Sequence, residues 1–349
     1  MGATAFDHPF LSGLVGDAET SAWFTAEADI RAMLQFEGAL ARAEAAHGVI
    51  PEPAAQTISA ACASFNADIP ALRAATARDG VVVPELVRQL RAAVGDVSPH
   101  VHLGATSQDV IDTSLMLRLK PVAVVFATRL AALELRFGEL QQTFGDKPLM
   151  GRTRMQAAIP ITVADRLRAW SAPFAGYRQT LTALRFPLQF GGAAGTLDKL
   201  GDKASAVRSS LAQELGLVDI QQWQSQRAII AEFAGLLTLI SGSLGKFGQD
   251  IALMAQAGDE IGLTGGGGSS AMAHKQNPVA AETLVALARF NATQISAIHH
   301  SMVHEQERSG AAWTLEWLVL PQMAIATGAA LRLAQELANN ISRLGTADA

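Results

Sequence analysis

Ser225–Ala257 reads SQRAIIAEFAGLLTLISGSLGKFGQDIALMAQA. It holds no proline, its apolar residues recur at spacings of three and four, and it is rich in Ala, Leu, Ile and Gly, the pattern of one long helix. A helix of about thirty residues spans roughly 45 Å. A rod of that length and composition cannot hide its apolar surface within one chain of 349 residues, so the pattern predicts a bundle shared between the subunits of a homo-oligomer. Its most apolar part, Ala228 to Leu244, is interrupted by Glu232, Gly and Ser and is flanked by Arg227 and Lys246. That fits a buried helix better than a membrane span.

Two further segments have the same character: Asp109 to about Phe144, with a kink expected at Pro121, and about Val163 to Phe186. The earlier part of the chain reads as shorter helices. Ile30, Met33, Leu34 and Leu40 share one face of a helix that runs to about Ala46 and is ended by Gly48 and Pro51. Strand alternation is scarce, Gly80 to Val83 being the one β-rich patch. The expected fold class is all-α, with minor ribbons at most. Hydrophobic residues are 49% of the chain, ample for a large core. The single cysteine, Cys62, rules out an internal disulfide, and the opening Met-Gly-Ala-Thr-Ala-Phe-Asp-His lacks the succession of a secretion signal. Both point to the cytoplasm. A net charge of −5 with no basic block argues against an extended nucleic-acid surface. The eight histidines show no ligand spacing, so no metal and no cofactor is expected.

Three polar segments interrupt the helical pattern. Gly265–Pro278 reads GGGGSSAMAHKQNP: a glycine string, costly to order and useless for packing, delivers Ser269, Ser270, Lys275 and Asn277 to one place, as a loop that closes over a ligand would. Asn277 suits an N-cap and Pro278 the first helical position, so the following helix would turn its positive end toward an anion. A disordered linker would be more polar and repetitive. A phosphate-cradling loop would end in Gly-Lys-Ser/Thr after a strand. Val101–Asp109, VHLGATSQD, crowds hydroxyls, an amide and a carboxylate at the start of a long helix, where N-capping alone is a competing explanation. Gly151–Gln156, GRTRMQ, followed by Ile159–Thr162, IPIT, looks like a polar wall. Arg152, Arg154, Lys275 and Arg308 are the cations available to a local anion site.

Together, Thr106-Ser107-Gln108-Asp109, Gly151-Arg152-Thr153 with Gln156, and Ser269-Ser270 to Lys275 and Asn277-Pro278 resemble the three signature regions of the fumarase/aspartase superfamily. Within it the chain is most similar to the bacterial 3-carboxy-cis,cis-muconate cycloisomerases, through Phe36–Glu44, His102–Thr113, Gln189–Gly195, and Trp223 with Gln226-Arg227. The resemblance implies a long helical bundle at the core of a homotetramer, with each active site assembled from three subunits. The implied division is an N-terminal helical domain at 1–103, a central long-helix oligomerisation domain at 104–343 and a short tail at 344–349. The family's small C-terminal domain is expected to be absent or truncated. Other departures are Ala273 where superfamily loops carry Pro, Arg154 where lyases often carry His, and Arg78-Asp79 where adenylosuccinate lyases carry a His-Asp pair.

The activity implied is lactonisation of 3-carboxy-cis,cis-muconate to 4-carboxymuconolactone in protocatechuate catabolism. The alternatives are a C–N or C–O lyase releasing fumarate, or a cycloisomerase of a sulfonated muconate. Loss of the histidine suits the first. In lactonisation the nucleophile is a tethered carboxylate, ionised at neutral pH, so neither a base to activate it nor an acid to release it is required. The resemblance assigns Ser269 the proton transfer, with Lys275 stabilising its alkoxide. Lys275 and Asn277 would also hold the carboxylate that becomes an enolate. Thr106, Ser107, Thr153, Gln156 and Ser270 would bind substrate, and Arg154 and Arg308 would neutralise its other carboxylates. His102 and His274 are reserve proton donors that read as packing or surface residues.

Overall fold

The computed structural model describes residues 4–268, 272 and 276–346. Two one-turn helices, α1 (Ser12–Val15) and α2 (Ala18–Ser21), precede four helices of ordinary length: α3 (Ala26–Ala46), α4 (Glu52–Ser64), α5 (Ile69–Asp79) and α6 (Val83–Val94). The rods are α7 (Ser107–Phe144), α11 (Ala228–Ala257), α12 (Val279–His300) and α13 (Gly310–Asn339). Between the first two lie α8 (Val163–Ser171), α9 (Phe174–Ala183) and α10 (Ala204–Leu215). The anticipated face of α3 is buried, Met33, Leu34 and Leu40 included, and the helix opens on Thr25, whose hydroxyl accepts the Ala28 N–H at 3.2 Å.

The mainly helical class and the long rods agree with the sequence pattern, and four local expectations do not. The stretch 163–186 is two helices, because Pro173 follows the last turn of α8 and becomes the N-cap of α9; proline cannot continue the ladder. Gly80 to Val83 forms no strand; Gly80 takes the left-handed C-cap of α5, and Val83 already starts α6. The rod anticipated from Ser225 begins at Ala228, since Arg227 leaves helical geometry to form ion pairs. The fourth concerns ribbons, which arise where none was anticipated. β1 (Pro148–Thr153) and β2 (Gln156–Thr162) form an antiparallel hairpin, and β3 (Ile261–Leu263) pairs with β4 (Ile341–Leu344).

The rods approach closely because their contact positions are small. A Cβ on Gly245 would lie 2.5 Å from the Ala288 Cβ, and one on Gly248 would lie 2.6 Å from the Ala281 carbonyl oxygen, so α11 meets α12 backbone to backbone. Asn291 sits inside this seam and donates to Ser241 Oγ at 3.1 Å and Thr327 Oγ1 at 2.9 Å, joining α11, α12 and α13. Both α11 and α13 are long and apolar enough to cross a membrane, with mean hydropathies of 1.7 and 1.3, but 56% and 67% of those windows are buried in the fold. Val124 and Leu135 on α7, Leu239 on α11 and Leu318 on α13 nevertheless stay exposed, so the rods keep apolar surface that one chain does not cover.

Candidate active site

Segment Val101–Asp109 is held from three sides. Thr106 is the N-cap of α7, and Asp109 closes the first turn by accepting the Thr106 N–H at 3.0 Å, so the capping explanation holds as far as it goes. Asp109 does more. Fully buried, it also accepts from Gln189 Nε2 at 3.0 Å and from the Gly191 and Gly192 N–H groups at 2.9 Å each, tying the segment to the glycine loop 191–195. Gly192 is required there, because its φ is +69° and a Cβ would lie 2.9 Å from the Gly104 oxygen. Burial pushes Asp109 up to about 6 against the pull of these N–H donors. All four partners donate, so Asp109→Asn must aim an amide N–H₂ at two of them. A loss of about 3 kcal/mol in unfolding free energy is expected in a urea titration; an unchanged midpoint would mean the loop tolerates the mismatch.

Gln108 connects this segment to Arg308. Its Nε2 donates to the Gln224 carbonyl at 2.7 Å and to Asp112 Oδ2 at 3.1 Å, while its Oε1 accepts from Arg308 Nε at 2.8 Å. Beneath it, Arg227 is fully buried and pairs with Asp112 at 2.6 and 3.0 Å and with Glu316 at 2.8 and 2.5 Å. Thr106 and Ser107, half-buried, therefore share one end of the molecule with Arg308.

Segment Gly151–Gln156 is the tip of the β1–β2 hairpin. Thr153 pairs with Gln156, and the two residues between them, Arg154 and Met155, have φ of +48° and +67°. A two-residue hairpin turn asks for left-handed backbone at both centres, normally from Asn-Gly or Asp-Gly. Non-glycine residues there cost of order 1 kcal/mol each, so side chains are kept at the tip in spite of strain. Thr153, Arg154, Met155 and Gln156 are all exposed. One residue before Thr153, Arg152 Nη2 lies 3.8 Å from Glu260 Oε1, and the buried Glu260 accepts the Met150 N–H, further down β1, at 2.9 Å.

Glu260 immediately precedes β3, so strand β1 adjoins the root of the third segment. That segment is closed at its neck by a two-way bridge, Gly267 N–H to Asn277 O at 3.0 Å and Asn277 N–H to Gly267 O at 2.9 Å. The expected cap is thereby corrected: Asn277 is spent on the bridge, Pro278 is the N-cap, and α12 starts at Val279. A cavity of about 210 Å³ lies under the neck, lined by Gly265, Gly266, Gln276, Asn277 and Asn340. Ser269, Ser270, His274 and Lys275 lie outside the described residues.

The candidate residues thus fall into two groups. Thr106, Ser107 and Arg308 sit at the N-terminal end of α7, and Thr153, Arg154, Gln156 and Asn277 belong to the opposite end. The 38 residues of α7 separate them, roughly 55 Å at 1.5 Å per residue. Arg78 and Asp79 pair with each other on an exposed face at 2.8 Å. Among the described residues no three His, Cys, Asp or Glu side chains converge as metal ligands would.

A family model described as Lyase matches residues 16–296. The chain belongs to the fumarase/aspartase superfamily of lyases. This superfamily member is 40% identical over 341 residues to the 3-carboxy-cis,cis-muconate cycloisomerase of Pseudomonas aeruginosa, covering 94% of this chain and 73% of that one. It is 33% identical to the N-acetyl-S-(2-succino)cysteine lyase of Enterococcus italicus, covering 100% of this chain and 78% of that one. Among solved structures it resembles the 3-carboxy-cis,cis-muconate lactonizing enzyme of Pseudomonas putida, with a TM-score of 0.90 and 36% identity over 96% of this chain and 77% of that one.

One acidic group in this superfamily member had no sequence signal. On α3, Glu37 and Glu44 are both buried, two turns apart on one helix face. Neither oxygen of Glu44 has a hydrogen-bond partner among the described residues. Burial and the neighbouring Glu37 push Glu44 up to about 9 from an ordinary 4.5. Between those values the folded chain keeps a proton that the unfolded chain releases, so this group's contribution to stability falls as pH rises through the window and levels off above it. Glu44→Gln is therefore expected to gain stability relative to the parent between pH 5 and pH 9 in chemical denaturation. A difference that stays constant with pH would mean that Glu44 is ionised in the fold.

Proposed function

We propose that this chain is a 3-carboxy-cis,cis-muconate cycloisomerase, acting in the cytoplasm on protocatechuate-derived tricarboxylate. The observation that carries the reading is the 40% identity to the P. aeruginosa enzyme over 94% of the chain. In the reaction one substrate carboxylate oxygen adds to the diene, the adjacent carboxylate takes up the electrons as an enolate, and one proton is delivered to carbon. No atom leaves. Ser269 delivers the proton, Lys275 and Asn277 hold the enolate carboxylate, and Thr106, Ser107, Thr153, Gln156 and Ser270 hydrogen-bond the substrate. Arg154 and Arg308 neutralise the remaining carboxylates, a task suited to a guanidinium that stays charged.

The working enzyme is a homotetramer whose central bundle is built from residues 104–343, with 1–103 as an N-terminal helical unit. Two observations support assembly. The two groups of candidate residues stand a full α7 apart within one chain, and the rods carry exposed apolar side chains. Three chains then contribute one segment each to a site.

A succinyl-type lyase is the second reading, favoured by the 33% identity to the E. italicus enzyme. The test is to add the purified chain to 3-carboxy-cis,cis-muconate in metal-free buffer, follow loss of the diene absorbance and identify the product by NMR in deuterated water. Rapid loss with one deuterium beside the new lactone ring is expected. No loss from a folded tetramer would overturn the proposal, and sulfonated muconates and succinyl thioethers would be tried next.

A further inference from the structure

The surroundings of His102, by sequence a reserve proton donor of packing or surface type, are those of neither a packing nor a surface residue. Its Nδ1 lies 2.6 Å from Oε1 of Glu37, a carboxylate 2% exposed on α3 and 65 positions away in sequence. The ring is half-buried, while Nε2 has no partner among the described residues and is not among the polar atoms sealed from solvent. The backbone at His102 is left-handed, φ +62°, where Gly or Asn is the cheaper residue. Two costs are thus accepted, a strained backbone and a buried carboxylate whose Oε2 is unpartnered, to hold one imidazole with one nitrogen free. Orienting one ring nitrogen by a carboxylate while the other faces a ligand is the arrangement of an imidazole that acts on something. Four residues on lies Thr106, at the N-cap of α7.

We propose that His102, clamped at Nδ1 by Glu37, binds substrate by offering Nε2–H to one carboxylate of the tricarboxylate, with Glu37 as its positioning residue. This rests on the function proposed above and adds a fourth cation to Arg154, Lys275 and Arg308, one whose charge changes near neutral pH. The groups facing the ring are Glu37 from α3, Asp109 from α7 and Arg91 from α6, which also donates to the Val101 carbonyl at 3.0 Å. Burial alone would lower the imidazole; Glu37 and Asp109 outweigh burial and Arg91, and the net direction is upward from 6.5. The imidazolium is therefore held to higher pH than a free histidine would hold it, and affinity for a carboxylate is lost only as pH rises above the ordinary histidine range.

The probe is tricarballylate, a saturated tricarboxylate that cannot lactonise, titrated calorimetrically into the full assembled protein at pH 6 and pH 9. The parent is expected to bind about tenfold more tightly at pH 6. His102→Asn keeps a donor toward Glu37 and lacks Nε2; it is expected to bind about tenfold more weakly at pH 6 and to show no pH dependence. Glu37→Gln is expected to shift the midpoint of the pH dependence downward. With 3-carboxy-cis,cis-muconate, His102→Asn should raise KM and leave kcat within about threefold. On parent protein alone, titrations across pH 6 to 9 in two buffers of different ionisation enthalpy should detect proton uptake on binding within that range, a readout that survives if either variant fails to fold. Parent-like affinity and pH profile in folded His102→Asn would overturn the inference, as would absence of proton uptake or of any tricarballylate binding by the parent. Failure of the function itself is separate: a parent that binds tricarballylate with this pH dependence but leaves the muconate unchanged removes the proposed reaction and not the role of His102.

Discussion

Arg227→Met is expected to leave most of the chain unfolded at 25 °C. The guanidinium is sealed from solvent and is held by four hydrogen bonds to Asp112 and Glu316, over the face of Trp223 at 4.8 Å. Trp313 Nε1 donates to Asp112 as well, at 3.2 Å. A thioether fills part of the volume and leaves two carboxylates buried without a cation. Breaking a buried pair in this way costs about 3–5 kcal/mol, and here one cation serves two anions. A whole domain is stable by only about 5–15 kcal/mol, so the remainder is small or negative. Circular dichroism and size-exclusion chromatography would read the loss. The triple variant that also carries Asp112→Asn and Glu316→Gln should recover part of it, because no unpaired charge remains. A single variant that melts at the parent temperature would mean that water reaches the two carboxylates in the fold.

Ser269→Ala is expected to lower turnover of 3-carboxy-cis,cis-muconate roughly a thousandfold, in the range that a positioned proton-transfer group contributes. The change removes one oxygen beside a run of glycines that have no side chains to give a core, so the melting temperature should stay within a degree or two. KM should move little if the hydroxyl acts on the proton and not on a carboxylate. Near-parent turnover would transfer the proton to another group. A fall in kcat together with a lower melting temperature would instead make Ser269 part of the framework.

The long rods were legible because their information is local. Periodicity along Ser225–Ala257 survives any tertiary arrangement, and the glycines at 245 and 248 only decide how near α12 can come. Pro173 is ambiguous by sequence, since a single proline can bend a helix or end it, and α7 runs on through Pro121 while the next helical stretch stops. The hairpin at 148–162 carries no turn signal in sequence, because its turn is Arg154-Met155, with none of the Asn or Gly that normally marks such a turn. The polar segments stood out by composition. What joins them did not: Arg227 needs Asp112 and Glu316, and His102 needs Glu37, partners scattered over three helices with no spacing rule between them. Asn277 shows the converse error, a good N-cap residue by type that a strand-like bridge to Gly267 claims first.

The length of α7 has a consequence for how activity depends on concentration. On the assembly proposed here, each chain carries every residue the reaction needs and holds them too far apart to use. Dilution below the point of dissociation would then extinguish catalysis without unfolding anything, and specific activity would climb with protein concentration until assembly saturates. Two inactive chains, one damaged at Thr106 and the other at Ser269, would restore some intact sites when refolded together.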